Sequence, residues 1–140
     1  MLDAYEVPMV QYRAIKAGAD FVTPEGEVVP NHRLTTDPTP PKRFVYMSDT
    51  AYTEKHLELI YGVDCLYHES TFLKEDAARI KATLHSSAAQ AATLAKKAEV
   101  KQLIIGHYSA RYTDSKVFLD EARAIFPNTQ AAFDGANYFF

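Results

Sequence analysis

Three short apolar runs, each stopped by a cluster of polar residues, constrain this chain more than any other feature. Phe44-Val45-Tyr46-Met47 runs into Ser48-Asp49-Thr50, and Asp64-Cys65-Leu66-Tyr67 runs into His68-Glu69-Ser70-Thr71-Phe72. Lys101-Gln102-Leu103-Ile104-Ile105 delivers Gly106-His107-Tyr108-Ser109-Ala110-Arg111-Tyr112. Such runs suit buried strands, and the segments between them have helical period, so a layered α/β arrangement is predicted. Sites in open α/β sheets form at the carboxyl ends of strands, so the polar strand ends imply one shared pocket. The last of them presents an imidazole, then a small hydroxyl, then a guanidinium, which is a pattern for ligating a cation and holding an anion.

The intervening sequence fills in the elements. Tyr12 to Ala17 allows a short helix after the break at Val7-Pro8, and Phe21-Val22-Thr23 with Glu27-Val28-Val29 flanks a turn at Pro24-Glu25-Gly26. Asn31 to Pro41, rich in Thr and Pro, reads as an extended surface connector. Residues 1–43 are therefore expected to form an N-terminal segment, and 44–140 the main domain. Within the latter, helices are predicted over Glu54 to Tyr61, Lys74 to Thr83, the Ala-rich stretch after Ser86-Ser87, and the stretch opened by Asp114 or Ser115. Strands are predicted over Phe44 to Met47, Val63 to Tyr67 and Gln102 to Ile105, with a loop at His68 to Phe72. One or two further strands are expected in Thr129 to Phe133 and Tyr138 to Phe140.

Composition excludes several function classes. At 140 residues and 47% hydrophobic content the chain can bury a real core. A net charge of -3 argues against gripping nucleic acid by bulk electrostatics, so any phosphate must be held by local groups and metal. Cys65 is the only cysteine, which removes disulfide and thiolate-metal readings and favours a reducing, cytoplasmic setting. No apolar run approaches the length of a bilayer span, and no membrane role is indicated.

Ser48-Asp49-Thr50, His68-Glu69-Ser70-Thr71-Phe72, the His85-Ser86-Ser87 run before an Ala-rich helix, and Gly106-His107-Tyr108-Ser109-Ala110-Arg111-Tyr112 occur in an order that resembles the C-terminal half of ribonuclease Z, the tRNA 3′-processing endonuclease family of the metallo-β-lactamase superfamily. The resemblance covers roughly the last two thirds of the chain. The family's His-x-His-x-Asp-His metal motif occurs nowhere in it, so the chain reads as half of an enzyme, whether a fragment or a separately started product. Small departures stand beside the ligands: Ser48 where a Gly is usual, Ser70 for Ala, and Gly106 for Thr.

The resemblance implies half of an αββα sandwich, one mixed sheet with helices on its outer face. The sheet's inner face then lacks its usual partner, and self-association as a homodimer through it is expected. It also implies metal roles for Asp49, bridging two ions, usually zinc, and for His107, on one of them. His85 would contact the scissile phosphate and be oriented by Glu69, while Ser109 and Arg111 would hold phosphate oxygens. Each has a plainer alternative: Asp49 as a turn or capping residue, His107 as a structural imidazole, His85 as an exposed residue near a helix start, Glu69 as a carboxylate tied to backbone amides, Arg111 as the partner of Asp114. His68 should face away from Glu69 by strand alternation and is read as structural, and His32 and His56 as surface residues. Tyr46, Tyr67, Phe118 and Phe126 are read as core packing.

The implied activity is metal-dependent hydrolysis of the phosphodiester at the 3′ end of precursor tRNA, with the chain inactive and weakly metal-binding when alone. Two alternatives accompany it: a metallo-β-lactamase-like hydrolase of a small ester, thioester or phosphodiester, and a non-catalytic subunit complementing a separate N-terminal half.

Overall fold

A computed structural model describes residues 2–140 and divides into two units, one ending at Pro41 and the other beginning at Lys42. In the first, helix α1 (Tyr12–Lys16) precedes an antiparallel hairpin of β1 (Phe21–Val22) and β2 (Val28–Val29), in which Phe21 lies opposite Val29. Gly26 supplies the left-handed backbone of the turn, at φ +88°. Ile15, Phe21, Val29 and Leu34 close a small core. Asn31 opens a 3₁₀ turn, and its side chain donates to the carbonyls of Ile15 (2.7 Å) and Ala19 (2.8 Å).

The second unit is built on a four-stranded sheet: β3 (Phe44–Met47), β4 (Cys65–Glu69), β5 (Leu103–Gly106) and β6 (Thr129–Ala131), side by side in chain order. Every pairing in it is parallel, a correction to the mixed sheet expected from sequence. The helices explain why: α2 (Leu57–Ile60), α3 (Ala77–Thr83) and α4 (Ala88–Lys97), then α5 (Lys116–Arg123), carry the chain back between strands, and such crossovers return it in the same direction.

Alternation along the strands divides the sheet into two faces. Leu66, Leu103 and Ile105 join Leu94, the alanines of α4 and Phe118 of α5 in one buried cluster. Full burial of a Leu, Ile or Phe side chain is worth about 1.5–3 kcal/mol, so this helix-covered face is the main source of stability. The small side chains of Ala88, Ala91, Ala92 and Ala95 let α4 lie close against the strands, and a capping box between Ser87 and Gln90 fixes its start. The other face is different. It carries Phe44 and Tyr46 at 49% and 63% exposure, with Tyr46 stacked on Tyr67 at 4.4 Å between ring centroids. Tyr46 is thus not a core residue, because no helix layer covers its side of the sheet among the described residues.

Several element boundaries also move. β4 runs through His68 and Glu69, which were expected in a loop, because both continue the ladder opposite Ile105 and Gly106. α2 occupies only four residues, and in the non-helical stretch before it Glu54 bonds the Tyr52 hydroxyl and Lys97 Nζ. Tyr138 adds no strand: its hydroxyl donates to the Ala131 carbonyl and accepts from Phe133 N–H, closing a turn.

Candidate functional site

The site grows from sharp bends immediately beyond the strands. Asp49, two residues past β3, and His107, the first residue past β5, both have left-handed backbones, at φ +50° and +62°. Such a conformation costs about 1–2 kcal/mol for an L-residue, although Asp and His enter it more readily than most. The bends bring Asp49 Oδ1 to 3.1 Å from His107 Nε2. His85 arrives from the other side, after the left-handed Leu84 (φ +58°) that ends α3 and before the capped start of α4. Its ring centroid lies 5.3 Å from that of His107. One donor atom from each of Asp49, His85 and His107 lies within 4.8 Å of the others.

Glu69 lies behind these groups, fully buried. Oε1 accepts from Thr50 N–H (3.0 Å) and His85 Nδ1 (2.7 Å), and Oε2 from Thr71 N–H (3.0 Å) and the Thr71 hydroxyl (2.7 Å). The carboxylate therefore has a partner at each of its roughly four acceptor positions. Burial pushes its pKa up, but these hydrogen bonds outweigh burial and hold it below the usual Glu range. The charged form is the one built into the fold.

That charge sets the orientation of both imidazoles. His85 donates Nδ1–H to Glu69, which turns Nε2 toward the cluster. Thr71 has one hydroxyl proton, and the acceptor-only carboxylate takes it. Its oxygen, 2.8 Å from His107 Nδ1, must then accept Nδ1–H from that ring. The lone pair of neutral His107 is consequently on Nε2, facing Asp49. A ligating imidazole has this arrangement, with the distal nitrogen free and the other tied through a hydroxyl to a carboxylate.

The donor set fits a borderline divalent cation: one carboxylate oxygen and two imidazole nitrogens, with no thiolate, the chemistry that zinc accepts. Asp49 is 69% exposed in its side chain and His107 41%, so the open side of the cluster faces solvent. Not every residue singled out from sequence gathers here. Ser109 follows on the same loop, anchored by its N–H to the Thr71 carbonyl at 3.1 Å. Arg111 is exposed and lines a separate shallow recess with Tyr112 and Val117, and its guanidinium forms no ion pair, with Asp114 or any other acid, among the described residues. His68 is buried on the helix-covered face, with Nδ1 at 2.7 Å from the Glu69 carbonyl.

Thr71 was given no role from sequence, although its position two residues after Glu69 was a usable signal, since alternate residues along an extended chain share a face. Gly106 gains a reason as well. A Cβ there would stand 2.5 Å from the Tyr67 hydroxyl oxygen, so the Tyr67 ring occupies the space that a larger residue before His107 would need.

Comparison with known proteins identifies the family. A family model described as a beta-lactamase superfamily domain matches residues 24–108. The chain is 55% identical over 132 residues to a Ribonuclease Z of Bacteroides thetaiotaomicron and 56% identical over 135 residues to one of Parabacteroides distasonis. It is covered to 94% and 96% in these matches but spans only 42% and 44% of those relatives. Among solved structures, the metallo-beta-lactamase fold protein YhfI from Bacillus subtilis superposes with a TM-score of 0.56 at 20% identity, over 62% of this chain and 35% of that one. The short form of human tRNase Z gives 0.53 at 23% identity, over 76% and 34%. The family match and the fold together show that the chain belongs to the beta-lactamase superfamily and corresponds to the C-terminal half of its ribonuclease Z relatives.

Proposed function

We propose that this chain is the phosphate-side half of a metal-dependent endoribonuclease that hydrolyses the phosphodiester at the 3′ end of precursor tRNA. The observation that carries the reading is the meeting of Asp49, His85 and His107 around a buried, charged Glu69. Asp49 and His107 would hold metal, zinc by donor type, two ions being the expectation for the complete site. When bound, the metal lowers the pKa of an attached water and neutralises charge on the phosphate.

The remaining work falls to this chain's own side chains. Glu69 fixes His85 through Nδ1, so that Nε2 can give a proton to the leaving oxygen as its charge develops. Thr71 keeps His107 with Nε2 free. Ser109 contributes a hydroxyl to a phosphate oxygen. Arg111, outside the cluster, would have to reach inward from its loop to pair with the RNA backbone.

His85 as a third metal ligand is a second reading, favoured by the 4.8 Å convergence. The small-ester hydrolase and the non-catalytic subunit are less well supported, because a Glu69-held His85 together with Ser109 and Arg111 suits an RNA phosphate better than a small ester or a role without chemistry.

Alone, the chain has too few ligands for a tight site and is expected to be inactive. The test is cleavage of a precursor tRNA by the chain alone and by the chain mixed with one carrying His-x-His-x-Asp-His. Activity only in the mixture supports the reading; multiple-turnover cleavage by homogeneous chain alone, or none in a mixture that forms a stable complex, contradicts it. A homodimer through the open sheet face also belongs to this reading, supported by the exposure of Phe44 and Tyr46. Sedimentation should give a dimer that Tyr46→Glu converts to monomer, and a wild-type monomer at all concentrations contradicts that part. No described helix is long and apolar enough to cross a membrane, and the single buried cysteine suits a cytoplasmic setting.

A further inference from the structure

We propose that the recess opening off His85 between α3 and α4 binds the nucleoside whose oxygen leaves in the cleavage, an inference that rests on His85 being the proton donor. In an in-line displacement the attacking and leaving oxygens lie on opposite sides of phosphorus. A histidine that protonates the leaving oxygen therefore has the departing nucleoside on its own side, away from the metal ligands.

The structure has such a space. The recess encloses about 520 Å³ and is lined by His85 but by neither Asp49 nor His107. That volume lies within the roughly 300–1,000 Å³ of small-molecule sites. A second recess is lined by His107 with Tyr46 and Tyr67 but not by His85. Each imidazole thus borders its own recess, and with the rings 5.3 Å apart a phosphate held by both would have a recess open to the nucleoside on either side.

The lining of the His85 recess suits a nucleoside. Ile80 and Leu84 supply an apolar wall for a base, and Leu84, 68% exposed, is held beside His85 by its left-handed backbone. Lys74 and Lys81 contribute cations that form no ion pair among the described residues and can meet the flanking phosphate. Gln90 uses Oε1 on the α4 cap, which leaves its NH₂ as a donor toward a base edge. An apolar platform, cations and an amide are the means by which single-stranded nucleotides are held.

The experiment is an NMR titration of the 140-residue chain with adenosine 3′-monophosphate, using inorganic phosphate as the reference. Saturable shifts of the Ile80 and Leu84 methyls with the nucleotide, absent with phosphate, are expected. Lys81→Glu, at an exposed position, and Ile80→Asp should each weaken binding by about tenfold or more, with folding checked from the rest of the spectrum. The shifts should be the same with and without EDTA, which separates the subsite from the metal reading. Nucleotide shifts that match those of phosphate, or that fall only around His107, overturn the subsite. The role of His85 would then still be decided separately, by cleavage with His85 variants.

Discussion

Glu69 and His107 do not touch, yet one fixes the other: the Thr71 hydroxyl is 2.7 Å from Glu69 Oε2 and 2.8 Å from His107 Nδ1. The same carboxylate holds His85 directly, at 2.7 Å. A single buried charge therefore sets the proton positions of both imidazoles, His107 at the end of β5 and His85 between α3 and α4.

Thr71→Val removes the hydroxyl while keeping the branched shape. It should reduce metal affinity and cleavage by the complemented enzyme about 10–100-fold, the usual cost of losing an outer partner of a ligating histidine. Unfolding stability should fall by about 1–3 kcal/mol, because a buried carboxylate oxygen loses a donor. Thr71→Ser should restore most of both, as measured by metal titration and denaturant melts.

Gly106→Thr would place a Cβ against the Tyr67 hydroxyl. We expect a loss of about 1–3 kcal/mol, the range for overpacking. Tyr67→Phe in the same chain should recover much of it, because the nearest clashing atom is removed. A double-mutant cycle by chemical denaturation measures the coupling, and additive losses would show that the two residues do not compete for space.

Stability should fall on acidification in two stages. Burial lowers the pKa of His68 below the ordinary value near 6.5, so the unfolded chain takes up its proton first, and stability present above about pH 6.5 declines below it. Asp64 is held at about 2 by a hydrogen bond from Lys101 and then by one from the Arg43 backbone. Its contribution is complete above about pH 4 and is lost as the pH falls toward 2. Thermal melts across this range should show His68→Leu flattening the upper stage and Asp64→Asn reducing the lower, to which the lowered pKa of Glu69 also contributes.

How far the sequence disclosed all this depended on which interactions leave a pattern. Apolar runs ending in polar residues marked the strands, and β3 falls on Phe44–Met47 as read. The polar side chains of His68 and Glu69 break the apolar run and so read as a loop, whereas the ladder continues through them and buries both. Tyr46 differs for the opposite reason: an aromatic residue in a strand looks like core, and only the three-dimensional layering shows that no helix among the described residues covers its face. The bends at Asp49 and His107 and the relay through Thr71 leave no trace in periodicity, since they depend on backbone torsion and on contacts 36 residues apart. That Arg111 lines a recess containing none of Asp49, His85 and His107 is likewise invisible to spacing.

The division of labour among Asp49, His107 and His85 is tested most directly by metal content and cleavage measured together in the chain complemented by one carrying His-x-His-x-Asp-His. Asp49→Ala and His107→Ala should each lose bound metal along with precursor-tRNA cleavage. His85→Ala should keep the metal while cleavage falls about 10²–10⁴-fold, the contribution of a positioned general acid. Full metal content in the Asp49 and His107 variants, or loss of metal in the His85 variant, would contradict the account.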